Sequence, residues 1–167
     1  HVRVEVANQL DFAIERSPEP NKCPLVLAQA KANNADVVVR GGHVHPHVAA
    51  SYNNIGNVYY GQGRHEEARV QYQKALEVFL AVYGQEHPDV ATSYNNIGIV
   101  YFSQGEGEKA LVQCQQSLDI KIQLVGHLHP DVAASHVNIG SVYQAQGKYE
   151  EALVELKKGL DVLVSVH

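Results

Sequence analysis

The sequence repeats itself three times with a constant spacing of 42 residues, as the positions of three tracts show. The tracts HPHVAASYNNIGNVYYGQG, HPDVATSYNNIGIVYFSQG and HPDVAASHVNIGSVYQAQG begin at His45, His87 and His129. A second tract follows each of them, so every unit has two halves of helical length. Periods of about 20–50 residues are typical of arrays in which one small unit stacks on the next. The repeat therefore predicts a solenoid.

Prolines and acidic residues indicate where the helices begin. Pro46, Pro88 and Pro130 stand where the first helix of each unit would start, and proline suits that turn because its missing N–H would have no partner there. Acidic residues are also favoured in a first turn, because they face the positive end of the helix dipole. They are Asp89 and Asp131 in the first halves, and Glu66, Glu67, Glu108, Glu150 and Glu151 in the second halves.

Glycines indicate where the helices end. Gly63, Gly105 and Gly147 follow the first halves, and Gly84 and Gly126 follow the second halves. Glycine adopts the left-handed backbone conformation without steric cost and is therefore common just after a helix. Each of these positions predicts a left-handed C-terminal cap.

A stripe of large and small residues recurs at helical spacing in the first halves. It consists of Tyr52, Ile55, Gly56 and Tyr59, then Tyr94, Ile97, Gly98 and Tyr101, then His136, Ile139, Gly140 and Tyr143. A glycine inside a helix costs about 1 kcal/mol relative to alanine, so its recurrence predicts the close approach of a second helix. Ala68, Ala110 and Ala152 are the expected small partners. The predicted fold class is all-α, a superhelix of antiparallel helical hairpins with the first helices lining the concave side.

This order of residues resembles the tetratricopeptide repeat (TPR) consensus. The first unit shows it as Tyr52, Ile55, Gly56, Tyr59, Ala68, Tyr72 and Ala75. The 42-residue unit, with its HPDVA and YNNIG phrases, is similar to the TPR domain of kinesin light chains. The resemblance covers residues 45–167 and departs from the pattern at four positions. Cys114 and Leu156 replace the aromatic of Tyr72, and Ser117 and Gly159 replace Ala75, but all four are small or apolar enough to keep the core.

The chain divides into a divergent segment, residues 1–42, and an array over residues 43–167. The three units are residues 45–86, 87–128 and 129–167. The first segment lacks the motif, although Gly42 falls one period before Gly84, so a degenerate repeat could precede His43. We expect an atypical helical hairpin that caps the array, with a short strand near residues 36–42 as the alternative.

Asparagines recur in the first halves beside the packing stripe. Asparagine is a poor residue for a helix interior, so its recurrence needs a reason. In TPR arrays that this sequence resembles, the equivalent asparagines hydrogen-bond the main chain of an extended peptide, and the resemblance implies the same here. Bonds to a neighbouring helix are the alternative. The predicted groove residues are Asn53, Asn54, Asn57, Tyr60, Asn95, Asn96, Ile99, Phe102, Asn138, Ser141 and Gln144.

The charge pattern limits the expected ligand. No Lys or Arg occurs in residues 45–61, 87–104 or 129–146. Chaperone-binding TPR domains and kinesin light chains use basic groove residues, so we expect a protein or peptide ligand that is not strongly acidic. A net charge of −5 disfavours nucleic acid, and no apolar run reaches the roughly 20 residues that span a bilayer. We expect a cytoplasmic protein without a membrane partner.

The remaining candidate sites have simpler interpretations. His43, His45 and His47 alternate as metal ligands can, but His45 recurs before each helix-starting proline, so we expect a capping role and no metal. Cys23 and Cys114 are expected to be free thiols. No catalytic or phosphate-binding motif is present, so neither enzyme activity nor a cofactor is expected. The alternatives to peptide binding are homo-oligomerisation through an exposed last helix and a regulatory role in a larger signalling or motor-associated protein.

Overall fold

Six helices account for the regular structure of residues 45–165, the part of the chain that the computed structural model describes. They are α1 (Pro46–Gly61), α2 (His65–Tyr83), α3 (Pro88–Ser103), α4 (Gly107–Val125), α5 (Pro130–Ala145) and α6 (Tyr149–Ser165). These residues contain no strand, and the predicted all-α solenoid is confirmed. The hairpin expected in residues 1–42 and the free thiol expected at Cys23 lie outside the described residues.

Histidines cap the first helix of every unit. The Nδ1 atoms of His45, His87 and His129 accept hydrogen bonds from the backbone N–H two residues further on, at 3.3, 3.2 and 3.1 Å. Each histidine is followed by proline in the first turn, as predicted. The capping role predicted for His45 is therefore confirmed, because a side-chain acceptor satisfies one of the N–H groups that a helix start leaves unpaired.

Two kinds of glycine follow the helices. Gly63, Gly105 and Gly147 have positive φ angles of 73°, 78° and 74° at the tight turns within the units. Gly84 and Gly126 also have positive φ angles, 79° and 80°, but their ψ angles of −166° and 171° are extended. The prediction of a left-handed cap is therefore wrong at these two positions, because the ψ angles lie outside the left-handed helical region. The backbone there leads away from the helix toward the next histidine cap instead of turning back along it.

The glycines of the packing stripe allow the two helices of a unit to approach closely. A Cβ atom added at Gly56 would lie 2.6 Å from a ring carbon of Tyr72. An added Cβ would lie 2.9 Å from the Cys114 sulfur at Gly98, and 2.9 Å from Leu156 at Gly140. The positions that vary between units thus lie opposite the glycines. The expected close packing is confirmed. Ala68, Ala110 and Ala152 are buried, and the carbonyl oxygens of Ala110 and Ala152 would lie 3.4 and 3.3 Å from Cβ atoms added at Gly98 and Gly140.

Packing between successive units joins the hairpins into one array. The larger buried cluster extends from α1 to α4 and includes Tyr72, Phe79 and Ile97. The smaller cluster joins the second and third units through Cys114, Leu118, Val132 and Ile139. Cys114 is free and buried, and burial raises the pKa of its thiol to about 11.

Ile55 differs from its counterparts in the other units. Its side chain is 44% exposed, whereas Ile97 and Ile139 are 2% and 3% exposed. The predicted stripe placed all three in the core. In the later units this position packs against the preceding unit, and the described residues contain no unit before α1.

Candidate peptide-binding groove

The predicted groove residues all lie on α1, α3 and α5, and each of them presents some surface. Asn54, Asn57, Phe102 and Gln144 are exposed, and Asn53, Tyr60, Asn95, Asn96, Ile99, Asn138 and Ser141 are partly buried. None of them belongs to the buried clusters, although Tyr60 packs against the larger one. All of them are therefore available to form a surface, as a groove requires.

Hydrogen bonds between first helices link these residues across units. Asn138 Nδ2 donates to Asn95 Oδ1 at 2.9 Å. Tyr60 OH and Ser103 Oγ are also 2.9 Å apart. Since Ser103 Oγ donates to the carbonyl oxygen of Ile99 at 3.0 Å, the Tyr60 hydroxyl is the donor in this second pair. Both pairs join neighbouring first helices, which brings the predicted residues of successive units side by side.

Some of the asparagine side chains form hydrogen bonds within the array, and others do not. Asn57 Oδ1 accepts a hydrogen bond from Tyr72 OH at 2.7 Å, and Asn95 and Asn138 bond each other, so the alternative interpretation of a structural role applies to these three. The amides of Asn54 and Asn96 have no hydrogen-bond partner among residues 45–165. These two retain their full capacity to bond a ligand.

The first two units contain an equivalent pair of asparagines that are not hydrogen-bonded to each other, which we call the open pair. Its members are Asn53 and Asn96, and no hydrogen bond joins them. Asn53 Oδ1 is buried and has no hydrogen-bond partner in the described structure. A buried polar atom without a partner is uncommon in native proteins and calls for an explanation. Because the atom is buried, an external hydrogen-bond donor would satisfy it only after the Asn53 side chain turns outward.

Apolar surface lies beside this open pair. Asn96, Ile99 and Phe102 recur every three residues along α3, so they lie on adjacent positions of one helix face. Ile99 is partly buried, and Phe102 is 37% exposed. The second unit therefore combines an unbonded amide with apolar side chains.

Basic side chains approach the first helices from the turns and the second helices. The guanidinium of Arg64 lies 4.4 Å from the ring centroid of Tyr59, and Lys148 Nζ lies 5.9 Å from that of Tyr143. Each cation is also paired with a carboxylate: Arg64 with Glu67 at 2.9 Å, and Lys148 with Glu108 at 3.0 Å. The contact of Lys148 with Glu108 joins residues 40 apart, so the spacing of residues did not reveal it.

A recurring glutamine link fixes neighbouring units to each other. Gln104 Nε2 donates to Glu66 at 3.4 Å, and Gln146 Nε2 donates to Glu108 at 3.3 Å. The glutamines follow the first helices, and the glutamates stand in the first turn of the preceding second helices. Such links help to hold the first helices in place.

A cavity of about 470 Å³ lies outside the predicted groove residues, between α4, α5 and α6. At its wall, His136 Nδ1 lies 2.8 Å from Glu155 Oε2, and Lys158 Nζ lies 2.7 Å from Glu155 Oε1. Burial raises the pKa of Glu155, but the hydrogen bonds from Lys158 and His136 outweigh it and hold the pKa below its usual value. This cluster ties α5 to α6. Within residues 45–165 no group of three or more His, Cys, Asp or Glu residues is arranged to hold a metal ion.

The sequence pattern of one family matches most of the array. The tetratricopeptide repeat pattern matches residues 47–121 and 92–163, which together cover more than half of the chain. The chain belongs to the tetratricopeptide repeat family. This TPR chain has no match among curated protein sequences. None of its described helices is long and apolar enough to cross a membrane.

Solved structures show the same TPR fold. BtubC (BKLC) from P. vanneervenii has a TM-score of 0.67 and 26% identity, and the match covers 86% of this chain and 54% of that one. The TPR chain thus spans about half the length of BtubC. A putative kinesin light chain with TPR-like repeats from Podosopora anserina has a TM-score of 0.65 at 21% identity, with 98% and 71% covered. The predicted resemblance is confirmed.

A third TPR structure was solved with a ligand. It is the first TPR of Spaghetti, bound to an HSP90 peptide, and it has a TM-score of 0.55 at 22% identity. The match covers 73% of this chain and 84% of that one. At this identity the likeness shows a common fold.

Proposed function

We propose that this TPR array is a protein-interaction scaffold that binds an extended peptide in the groove lined by α1, α3 and α5. The observation that carries the proposal is the open pair formed by Asn53 and Asn96. One has a buried oxygen without a partner, and the other has an unbonded amide. The peptide complex of the Spaghetti TPR supports this general role.

The chemistry of the groove favours a peptide main chain. An asparagine amide both donates and accepts hydrogen bonds, so it complements the C=O and N–H groups of an extended chain. Ile99 and Phe102 offer apolar contact to the peptide's side chains. Since α1, α3 and α5 contain no Lys or Arg, the ligand is neutral or apolar instead of strongly acidic. We further propose that the chain is not an enzyme and acts in the cytoplasm.

Selection of peptides followed by affinity measurement tests this proposal. Short random peptides displayed on phage are selected on the full chain, and the enriched sequences are titrated against Asn96→Ala and Asn138→Ala. Asn96→Ala should weaken binding roughly tenfold without lowering the melting temperature, because only a bond to the ligand is lost. Asn138→Ala should lower both the affinity for the peptide and the melting temperature, because it also breaks the bond to Asn95.

Val112→Ala provides the control, because Val112 is 56% exposed and lies on α4, away from the first helices. Binding that is equally strong in the wild type, Val112→Ala and Asn96→Ala would refute the groove. So would an Asn96→Ala chain that no longer folds.

Self-association through α6 is a second candidate function, and the exposure of its side chains favours it. Leu160 is 58% exposed, whereas the equivalent Leu76 and Leu118 are each 3% exposed. Leu163 and Val164 extend this apolar surface at 46% and 67% exposure. Sedimentation at increasing concentration should show a dimer that Leu160→Glu dissociates, and a strict monomer would exclude this function. A regulatory role in a larger signalling or motor-associated protein stays a prediction.

A further inference from the structure

One side of α1 carries apolar residues that its described neighbours leave uncovered. Val48, Ser51, Ile55 and Val58 recur at helical spacing and form what we call the N-terminal end face. Val48, Ile55 and Val58 are 41%, 44% and 60% exposed. Side chains of this kind normally pack against another element.

The same four residue types form a buried face in both later units. In the second unit, Val90, Ser93, Ile97 and Val100 are 0%, 0%, 2% and 0% exposed. In the third unit, Val132, Ser135, Ile139 and Val142 are 0%, 1%, 3% and 3% exposed. Those faces lie against the preceding unit. Terminal units of solenoids usually carry a polar outer face, but the N-terminal end face keeps the chemistry of an internal one.

The linker before α1 indicates what covers this face. Gly42, His43, Val44, His45 and Pro46 form a G-x-x-H-P sequence that recurs from Gly84 to Pro88 and from Gly126 to Pro130. At both later positions it joins a second helix, α2 or α4, to the first helix that this second helix covers. Residues 23–41 lie one 42-residue period before α2 (His65–Tyr83), immediately upstream of the same linker.

The composition of this segment fits an apolar face. It contains the runs Leu25–Val26–Leu27 and Val37–Val38–Val39, and its charged residues are Lys31, Asp36 and Arg40. A short tether also gives the segment an effective concentration of about 1 mM at the face, well above that of a second copy in dilute solution. We propose that residues 23–41 cover the N-terminal end face, in the place that α2 and α4 take in the later units. This docking is independent of whether the groove binds a peptide.

A photo-crosslinker placed on the face tests the occupant directly. Benzoylphenylalanine replaces Ile55 in the full chain, and in a control chain it replaces Val112, which is exposed on α4. Equal amounts of ¹⁴N- and ¹⁵N-labelled chains are mixed, irradiated and analysed by peptide mass spectrometry. The expected products join position 55 to residues 23–41 within one chain, and the control gives none. Products that join two chains would overturn the proposal, as would the absence of any product at that segment.

A pair of matched substitutions gives a second readout. Val58 and Val112 are of the same type and similarly exposed among the described residues, at 60% and 56%. Val58→Ser should lower the melting temperature of the full chain by about 5 °C, because it places a hydroxyl under the docked segment. Val112→Ser should leave it nearly unchanged. Equal melting temperatures for the two variants would overturn the docking.

Discussion

Single residues decide how closely the helices of this array approach each other. The glycines at 56, 98 and 140 face Tyr72, Cys114 and Leu156, each of which fills the space that a Cβ would need. The sequence predicted the close approach of a second helix, because the glycines recur inside helices, where they have an energetic cost. It did not predict which side chains lie opposite them, since Ala68, Ala110 and Ala152 were the expected partners. It did not predict the pairing of His136 with Glu155, since residues 19 apart on two different helices leave no pattern in spacing.

Gly98→Leu should lower the free energy of unfolding by about 1–3 kcal/mol, because the added side chain overlaps the buried Cys114 sulfur. Gly61→Ala is the control: it lies in the last turn of α1 with nothing within 4 Å of an added Cβ. That substitution should raise the free energy of unfolding by up to about 1 kcal/mol. Urea unfolding measures both, and an unaltered midpoint for Gly98→Leu would contradict the close approach.

Acid should weaken the cluster around Glu155. Its pKa in the folded protein is lowered from the usual 4.5. The carboxylate therefore contributes stability above pH 4.5 that is lost as the pH falls through the lower folded pKa. In Glu155→Gln the corresponding loss of stability should be absent as the pH falls below about 4.5.

Urea unfolding at several pH values measures this difference. Asp161→Asn provides the comparison, because it removes an exposed carboxylate from the same helix. Parallel pH profiles for the wild type and Glu155→Gln would show that the ion pair contributes nothing.

At the scale of the helices, the ends are set by local chemistry, and this explains why the sequence predicted them well. Proline and histidine fix the starts of α1, α3 and α5, and positive-φ glycines follow five of the six helices. The ψ angles of Gly84 and Gly126 could not be predicted in this way, because glycine tolerates both the left-handed and the extended values. The direction of the following loop selects between them.

His87→Ala should cost about 1 kcal/mol of stability, because it leaves the backbone N–H of Asp89 without its side-chain acceptor at the start of α3. His87→Asn should retain most of that stability, since asparagine is a strong N-cap residue. Thermal unfolding distinguishes the two variants. Equal losses from both would show that the ring stacking of His87 on Tyr83 matters more than the cap.

Across the whole array, the core is unevenly distributed. The large cluster that contains Tyr72 and Phe79 spans the first two units, whereas four buried residues form the cluster between the second and third units. Leu160 and Leu163 of α6 remain 58% and 46% exposed. The repeat predicted the stacking of units but not this gradient, because the exposure of an end face depends on what lies beyond it.

Amide hydrogen exchange should therefore be fastest in the last helix. In solenoids each unit is stabilised mainly by its neighbours, so units open locally. We expect central amides of α6 to exchange at least about tenfold faster than those of α2, a difference of about 1.4 kcal/mol in opening free energy. Mass spectrometry of exchanged peptides measures this. Equal protection in both helices would indicate that the array unfolds as one cooperative unit.

The surface proposed as a groove is the part of the molecule that the sequence predicted least completely. The helical positions of the asparagines predicted that their side chains reach the surface. They did not predict that Asn95 and Asn138 bond each other while Asn53 and Asn96 do not, because this depends on how neighbouring units are rotated. The most direct test is a nuclear magnetic resonance titration of the full chain with a selected peptide, following the side-chain amide signals. The signals of Asn54 and Asn96 should shift at saturation, whereas shifts confined to α2, α4 and α6 would contradict peptide binding by the first helices.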